Sequence, residues 1–124
     1  MNKKIKILIA EDEKAMANAL ELKLNKSGFQ ARAVFDGSSV IDVLSKEKYD
    51  LLLLDLIMPK LDGFEVMNKL KGLKIDISII VLSNLSQEED HKKATELGAI
   101  DYFVKSDTPI ADIVKRVEDF LKDK

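Results

Sequence analysis

The sequence has no cysteine, no tryptophan, two prolines and a single histidine in 124 residues. Without cysteine there can be no disulfide framework, no thiolate metal centre and no cysteine nucleophile. One histidine is too few for a histidine-based metal cage. The longest apolar runs, such as residues 51–54, have four residues, whereas a membrane-spanning helix needs roughly 20. We therefore expect neither these kinds of site nor a segment that crosses a membrane.

Charge is nearly balanced, with 20 basic and 22 acidic side chains and a formal net charge of −2. This balance excludes the basic field of a nucleic-acid-binding domain and the polybasic anchor of a membrane-bound one. The first four residues contain no apolar signal core, so we expect a cytoplasmic protein. The length and the 46% hydrophobic content are typical of one globular domain, which we expect to occupy residues 1–124.

Short apolar runs alternate with stretches of helical periodicity. We predict strands over residues 5–10, 29–34, 49–55, 77–82 and 101–104, each followed by a helix. The first and fourth helices are expected to end at Gly28 and Gly98. Such alternation favours parallel strands with helices on both faces of the sheet. The predicted fold is therefore doubly wound α/β, with a five-stranded parallel sheet in the order 2-1-3-4-5.

Two helix starts carry recognisable capping residues. Ser86 with Glu89 three residues later predicts a capping box for the fourth helix. Thr108 followed by Pro109 predicts the N-cap and the first helical position of the fifth. That fifth helix has the clearest amphipathic pattern in the chain.

Charged or hydroxyl side chains stand where four of the predicted strands end. Glu11 and Asp12 follow the first strand, Asp55 ends the third, Ser83 follows the fourth and Lys105 follows the fifth. Because the carboxyl ends of parallel strands meet at one edge of the sheet, we expect these side chains to lie together. The sequence therefore predicts an acidic site with one lysine at this edge.

Three carboxylates at one edge repel each other and need positive charge nearby. Lys105 supplies one charge, and a divalent cation with oxygen ligands, such as Mg²⁺, would supply the rest. A carboxylate at such a site can also act as a nucleophile and carry a phosphoryl group. A metal, a lysine and a hydroxyl are the groups that phosphoryl transfer uses, because its catalysis is mostly positioning and charge neutralisation.

Five short motifs follow one another along the chain: Ile-Ala-Glu-Asp-Glu ending at Glu13, Leu-Leu-Leu-Asp-Leu-Ile-Met-Pro ending at Pro59, Asp62 with Gly63, Val-Leu-Ser ending at Ser83, and Gly-Ala-Ile-Asp-Tyr-Phe-Val-Lys ending at Lys105. Each motif alone is weak, but five in order at matching spacing are specific. Through these motifs the chain resembles, over residues 5–121, the receiver domain of two-component response regulators. The resemblance implies a flavodoxin-like fold, Mg²⁺ as cofactor and a switch activated by phosphorylation.

The resemblance also implies a role for each residue of the predicted site. Asp55 resembles the phosphoacceptor, and Lys105 resembles the lysine that contacts the phosphoryl group. Asp12 resembles a direct Mg²⁺ ligand, and Glu11 a ligand that acts through water. Asp55 itself and the backbone carbonyl of Ile57 would complete the metal ligands.

Two further residues resemble the switch of the family. Ser83 resembles the switch hydroxyl, which would move toward the phosphoryl group, and Tyr102 the switch aromatic, which would then rotate inward. The face made by helix 4, strand 5 and helix 5 would change as a result. The donor would be a histidine kinase or a phosphotransfer protein, or a small phosphodonor, and an unidentified downstream protein would receive the signal. The resemblance implies no reaction beyond the protein's own phosphorylation and dephosphorylation, and no direct nucleic-acid binding by this domain.

The chain departs from the family pattern at a few positions of this site. Ser106 follows Lys105 where proline, with a cis bond, is usual, so we expect a trans bond and a rearranged loop. Asn84 replaces a small residue and would narrow donor access or bind the phosphoryl group. Ile57 and Leu85 flank the path of hydrolytic water but cannot orient it, so we predict a long-lived acyl phosphate.

Simpler interpretations exist for each residue taken singly. Asp55 alone could cap a turn, Tyr102 alone could be a packed edge-strand aromatic, and His91 is expected to be a solvated surface residue. A degenerate receiver that binds a partner without phosphate is the main alternative function. A phosphatase is disfavoured, because haloacid-dehalogenase-type enzymes have a second aspartate two residues after the nucleophile, where this chain has Ile57. Nucleotide binding is disfavoured because no glycine-rich loop follows a strand.

Overall fold

The computed structural model describes residues 4–85 and 87–122, in which five strands alternate with five α-helices. The strands are β1 (Lys6–Ala10), β2 (Gln30–Val34), β3 (Leu51–Asp55), β4 (Ser78–Ser83) and β5 (Ala99–Val104). The helices are α1 (Lys14–Lys26), α2 (Gly37–Lys46), α3 (Gly63–Gly72), α4 (Glu88–Glu96) and α5 (Ile110–Leu121). A short 3-10 turn, Lys105–Asp107, joins β5 to α5. Residues 1–3, Ser86 and residues 123–124 lie outside this description, and the predicted capping box at Ser86 lies there with them.

The five strands form one parallel sheet in the order β2-β1-β3-β4-β5, which confirms the predicted topology. All five residues of β3 are buried, because this strand lies at the centre and is covered on both faces. Side chains alternate between the faces. Leu52 and Leu54 pack with residues of α2 and α3, whereas Leu51 and Leu53 pack with residues of α1 and α5. Within the described residues, no helix is both long enough and apolar enough to cross a bilayer.

The start of α5 differs from the sequence prediction by one position. Pro109 occupies the N-cap rather than the first helical position, and its carbonyl accepts from the N–H groups of Asp112 and Ile113. The Thr108 hydroxyl does not cap the helix, because it donates backward to the carbonyl of Val104 at 2.9 Å. The prediction for Thr108 was therefore wrong, since the turn after β5 uses this hydroxyl.

The predicted last strand was also too short. β5 begins at Ala99 rather than at residue 101, and its pairing with β4 shifts register between Ile79 and Ile80. Because of this irregularity, the first residues of β5 do not follow a period-two pattern, and the sequence prediction omitted them. The fourth helix has Gln87 at its N-cap, without a side-chain capping bond.

The chain turns tightly after β3, where α3 begins. Asp62 is the N-cap of α3 and forms a capping box with Glu65. The N–H of Gly63 donates to the carbonyl of Leu56 at 2.9 Å, and a Cβ atom on Gly63 would lie 2.6 Å from the carbonyl oxygen of Asp55. The close approach requires glycine, and it fixes α3 against the carboxyl end of β3.

Candidate functional site

The residues predicted to meet at one sheet edge do meet there. Asp55 is the last residue of β3 and Ser83 the last of β4, while Glu11 follows β1 and Lys105 follows β5. The register pairs Asp55 with Leu82 and Ser83 with Val104, so the four strand ends are level. Glu11, Asp55 and Ser83 are the buried polar residues of the described chain.

The ammonium group of Lys105 joins the cluster. Its Nζ donates to Asp55 Oδ2 at 3.1 Å, to Glu11 Oε1 at 2.9 Å and to Glu13 Oε1 at 2.6 Å. The Lys105 side chain is only 8% exposed. Ser106 therefore does not prevent the lysine from reaching Asp55, and the expected trans bond is consistent with the absence of cis peptides from the described residues.

Glu13 is a residue that the sequence reasoning missed as part of the site. Its carboxylate makes the shortest of the three contacts with Lys105, although its side chain is 61% exposed. The sequence feature that could have indicated its role is its position as the third acidic residue in the run that begins at Glu11. Its position at the start of α1 did not reveal that the side chain turns back toward β5.

The pKa values of the cluster are set by burial and by the excess of carboxylates over the single lysine. Burial raises the pKa of Glu11 from 4.5 to about 7, although hydrogen bonds from the Glu13 N–H and from Lys105 favour the ionised form. Burial also raises the pKa of Asp55, against the effects of the Ile57 N–H and Lys105. Burial opposes charge on Lys105, but hydrogen bonds to Glu13 and Glu11 outweigh it and raise its pKa. One lysine thus leaves the carboxylates short of positive charge.

The carboxylates are placed to hold a hard cation. Oxygen atoms of Glu11, Asp12 and Asp55 lie within 4.8 Å of one another, and Asp12 is exposed while the other two are buried. All-oxygen ligands with an open side suit Mg²⁺, which keeps part of its water shell. The residues present therefore fit this ion. Ile57 donates its N–H to Asp55 Oδ1 at 3.2 Å, and the role of its carbonyl as a ligand stays a prediction.

The two predicted switch residues are joined through the β4–α4 loop. The Ser83 hydroxyl, which is buried, accepts from the N–H of Leu85 at 3.2 Å. The Tyr102 hydroxyl donates to the carbonyl of the same Leu85 at 2.6 Å. Burial, with the charge of Asp90, raises the pKa of Tyr102. A displacement of Leu85 would therefore disturb both side chains.

His91 is not the solvated residue that the sequence analysis expected. Its ring stacks on Tyr102 with the centroids 3.7 Å apart and the planes inclined by 21°. The residue is half-buried. The prediction was wrong because a lone histidine in a charged helix gives no sign of an aromatic partner on the neighbouring strand.

The remaining departures from the family pattern lie around the same edge. The Oδ1 atom of Asn84 accepts a hydrogen bond from the N–H of Ser106, with a donor–acceptor distance of 2.9 Å. The Ile57 side chain is 55% exposed, and that of Leu85 is half-buried. The predicted effects of these three residues on donor access and phosphate lifetime stay predictions.

A 2-1-3-4-5 sheet with carboxylates and a lysine at its carboxyl edge defines an α/β domain of the receiver type. Comparison with known proteins identifies the family: residues 7–118 match the family model described as the response regulator receiver domain. The chain belongs to this family and is a receiver domain of a two-component response regulator.

Two curated relatives are transcriptional regulators by name. The alkaline phosphatase synthesis transcriptional regulatory protein PhoP of Bacillus subtilis (strain 168) is 36% identical over 122 residues, covering 98% of this chain and 50% of the relative. The probable transcriptional regulator ycf27 of Porphyridium aerugineum is 36% identical over 121 residues, covering 93% and 50%. The chain thus spans about half the length of the curated relatives it matches.

Solved structures agree with the fold. The receiver domain of Francisella response regulator 1452 superposes with a TM-score of 0.88 at 28% identity, covering 96% of this chain and 98% of that one. Response regulator TrrA from Thermotoga maritima, in complex with Mg²⁺ and BeF, has a TM-score of 0.80 at 26% identity, covering 94% and 99%.

Proposed function

We propose that the chain is a switch in which Asp55 accepts a phosphoryl group from the phosphohistidine of a histidine kinase or phosphotransfer protein, or from a small phosphodonor. The observation that supports this most is the direct contact of Lys105 with the buried Asp55 carboxylate, among the oxygens of Glu11 and Asp12. We propose that the protein acts in the cytoplasm and catalyses only its own phosphorylation and dephosphorylation.

The chemistry is an in-line displacement at phosphorus. An oxygen of the Asp55 carboxylate forms the new P–O bond, while the P–N bond to the donor histidine breaks and its electron pair returns to the imidazole. Lys105 already lies 3.1 Å from Asp55 Oδ2 and neutralises charge on the transferred group. Glu11, Asp12, Asp55 and the Ile57 carbonyl would hold Mg²⁺, which supplies charge neutralisation and orientation.

The switch would operate through the β4–α4 loop. A phosphoryl group on Asp55 offers new acceptor oxygens, toward which the Ser83 hydroxyl moves. Leu85 moves with it and changes the hydrogen bond to the Tyr102 hydroxyl, so the contact between α4 and β5 is altered. The α4–β5–α5 face then presents a different surface to a downstream protein, and this domain does not itself contact nucleic acid.

Intact-mass measurement after incubation with Mg²⁺ and acetyl phosphate tests the proposal. The wild type should gain the mass of one phosphoryl group, and Asp55→Asn should gain none. Asp42→Asn, an exposed residue on α2, serves as the matched control and should be phosphorylated like the wild type. Absence of uptake would instead support the phosphate-independent binding module, and continuous turnover of phosphate esters would support a phosphatase.

A further inference from the structure

Two positions at which the chain departs from its family contact each other. The N–H of Ser106 donates to the Oδ1 atom of Asn84 at 2.9 Å, although the two residues are 22 positions apart. A proline at position 106 would have no N–H to donate. An alanine or glycine at position 84 would have no side-chain acceptor. The hydrogen bond therefore requires both departures from the family pattern, Asn84 as the acceptor and Ser106 as the donor.

This bond, called here the Asn84–Ser106 bridge, lies just beyond the last rung of the sheet. The pairing of β4 with β5 ends at Ser83 and Val104. The bridge adds one more link between the same two chain segments, with a side-chain oxygen as acceptor. It thus joins the residue after Ser83 to the residue after Lys105.

The bridge is one of the contacts that hold the turn carrying Lys105. On the other side, the Thr108 hydroxyl donates to the carbonyl of Val104 at 2.9 Å, and the Thr108 N–H donates to the carbonyl of Lys105 at 3.4 Å. These contacts close the turn on itself but do not attach it to β4. Among the described residues, Asn84 provides the side-chain hydrogen bond from the β4–α4 loop to this turn.

We propose that Asn84 is a positioning residue of the phosphorylation site, which acts through Ser106 on Lys105. It fixes the turn from which the lysine reaches Asp55, and it makes the loop of Ser83 and the turn of Lys105 move as one unit. The inference rests on the proposed function, since it assigns the role of Lys105 to phosphoryl transfer. It assigns to this pair the positioning that a proline would otherwise provide.

A double-mutant cycle tests the proposal. The rate at which acetyl phosphate phosphorylates Asp55 is measured for the wild type, Asn84→Ala, Ser106→Pro and the double variant. A single hydrogen bond of this kind is worth about a three- to tenfold effect, so we expect Asn84→Ala to lower the rate by that factor. In the Ser106→Pro background, Asn84→Ala should have no further effect, because the donor of the bridge is already absent.

The chain offers a matched control. Asn25 accepts the N–H of Ala31 at 2.9 Å, which is a similar side-chain link far from the site. Asn25→Ala should leave the phosphorylation rate unchanged. If Asn84→Ala lowers the rate equally in both backgrounds, or raises it by opening donor access, the proposal is overturned.

A second measurement reads the bridge without phosphorylation. Amide hydrogen exchange at Ser106 should accelerate by about three- to tenfold in Asn84→Ala, and the Nζ resonance of Lys105 should shift. Unchanged exchange and an unchanged resonance would overturn the positioning role. If the wild type takes up no phosphate, the proposed function fails, whereas these two readouts still report whether Asn84 positions Lys105.

Discussion

Lys105 is shared among three carboxylates, so a phosphoryl group on Asp55 would have to compete with these carboxylates for the lysine. Two of these partners, Glu11 and Asp55, are buried, and their interaction with the lysine is little screened by solvent. Glu13 is exposed and is the partner most easily displaced. At the scale of the residue, the site is a balance of charges rather than a preformed anion pocket.

Replacing Glu13 by glutamine should therefore speed phosphorylation. The change removes one negative charge next to an anionic donor and frees part of the Lys105 ammonium. Exposed ion pairs are worth at most about 1 kcal/mol, so the rate with acetyl phosphate should rise by about two- to fivefold. Glu118→Gln, on an exposed position of α5, is the control, and a slower rate in Glu13→Gln would contradict this account.

We predict that Ile57 influences a second property, the lifetime of the phosphorylated state. Its apolar, half-exposed side chain cannot orient a water molecule for attack on the acyl phosphate. Ile57→Asn supplies polar atoms there and should shorten the lifetime by about tenfold or more, because a reactant held in place reacts faster. Autodephosphorylation measured by intact mass checks this, with Ile57→Val expected to keep the wild-type lifetime.

Among the secondary-structure elements, the start of α3 packs closely against the end of β3, the strand that carries Asp55. A Cβ atom on Gly63 would lie 2.6 Å from the Asp55 carbonyl and 2.7 Å from Leu56 Cα. Gly63→Ala should lower the free energy of unfolding by about 1–3 kcal/mol, since backbone cannot move aside easily. Denaturant unfolding measures this change.

Gly72 provides the control in the same helix. Among the described residues, apart from its two chain neighbours and the nearby backbone of its own helix, no atom lies within 4 Å of a Cβ built there. Gly72→Ala should raise the free energy of unfolding by up to about 1 kcal/mol, because alanine loses less backbone entropy in a helix. Equal destabilisation by both substitutions would show that the close approach at Gly63 has no special cost.

The stack of His91 on Tyr102 links α4 to β5. His91→Ala should destabilise the protein by about 0.5–1.5 kcal/mol and broaden the ring resonances of Tyr102, because an aromatic pair of this kind is lost. His91→Phe should restore both properties. Lys92→Ala, an exposed neighbour on the same helix, is the control, and unaltered Tyr102 resonances in His91→Ala would argue against a role for the stack.

At the scale of the whole molecule, the acidic cluster makes stability depend on pH. Burial raises the pKa of Glu11 from 4.5 to about 7. Between these values the folded chain keeps a proton that the unfolded chain has released, so the free energy of unfolding falls as the pH rises. Asp55, whose pKa burial also raises, contributes in the same direction.

Urea unfolding without Mg²⁺ should therefore show a loss on the order of 2 kcal/mol between about pH 5 and about pH 8. Glu11→Gln should reduce this slope, and the exposed Glu96→Gln should not. Because the proposed Mg²⁺ site uses ionised carboxylates, the ion should stabilise the protein more at the higher pH. Stability that rises with pH in the absence of Mg²⁺ would contradict the charge balance described for the cluster.

Much of the fold could be predicted because the pattern of a strand followed by a helix recurs along the chain. Alternating apolar runs and amphipathic stretches predict each strand and helix, and the rule for parallel connections then leaves one common sheet order. The placement of Asp55, Ser83 and Lys105 at one edge follows from that order. The boundaries of the elements were predicted less accurately. β5 begins earlier than predicted, and Pro109 is the N-cap of α5 rather than its first helical residue. Neither the register shift in β5 nor the hydrogen bond of Thr108 produces a recognisable sequence pattern.

The class of fold, the edge of the sheet that carries the site, and the carboxylates and lysine at that edge could all be predicted from the sequence. Which of these groups contact each other became visible only in the folded structure. The contact of Glu13 with Lys105, the Asn84–Ser106 bridge and the stacking of His91 on Tyr102 all join segments that are distant in sequence. Periodicity reports which face of an element is buried, whereas loop side chains are directed by neighbours that only the assembled sheet brings within reach.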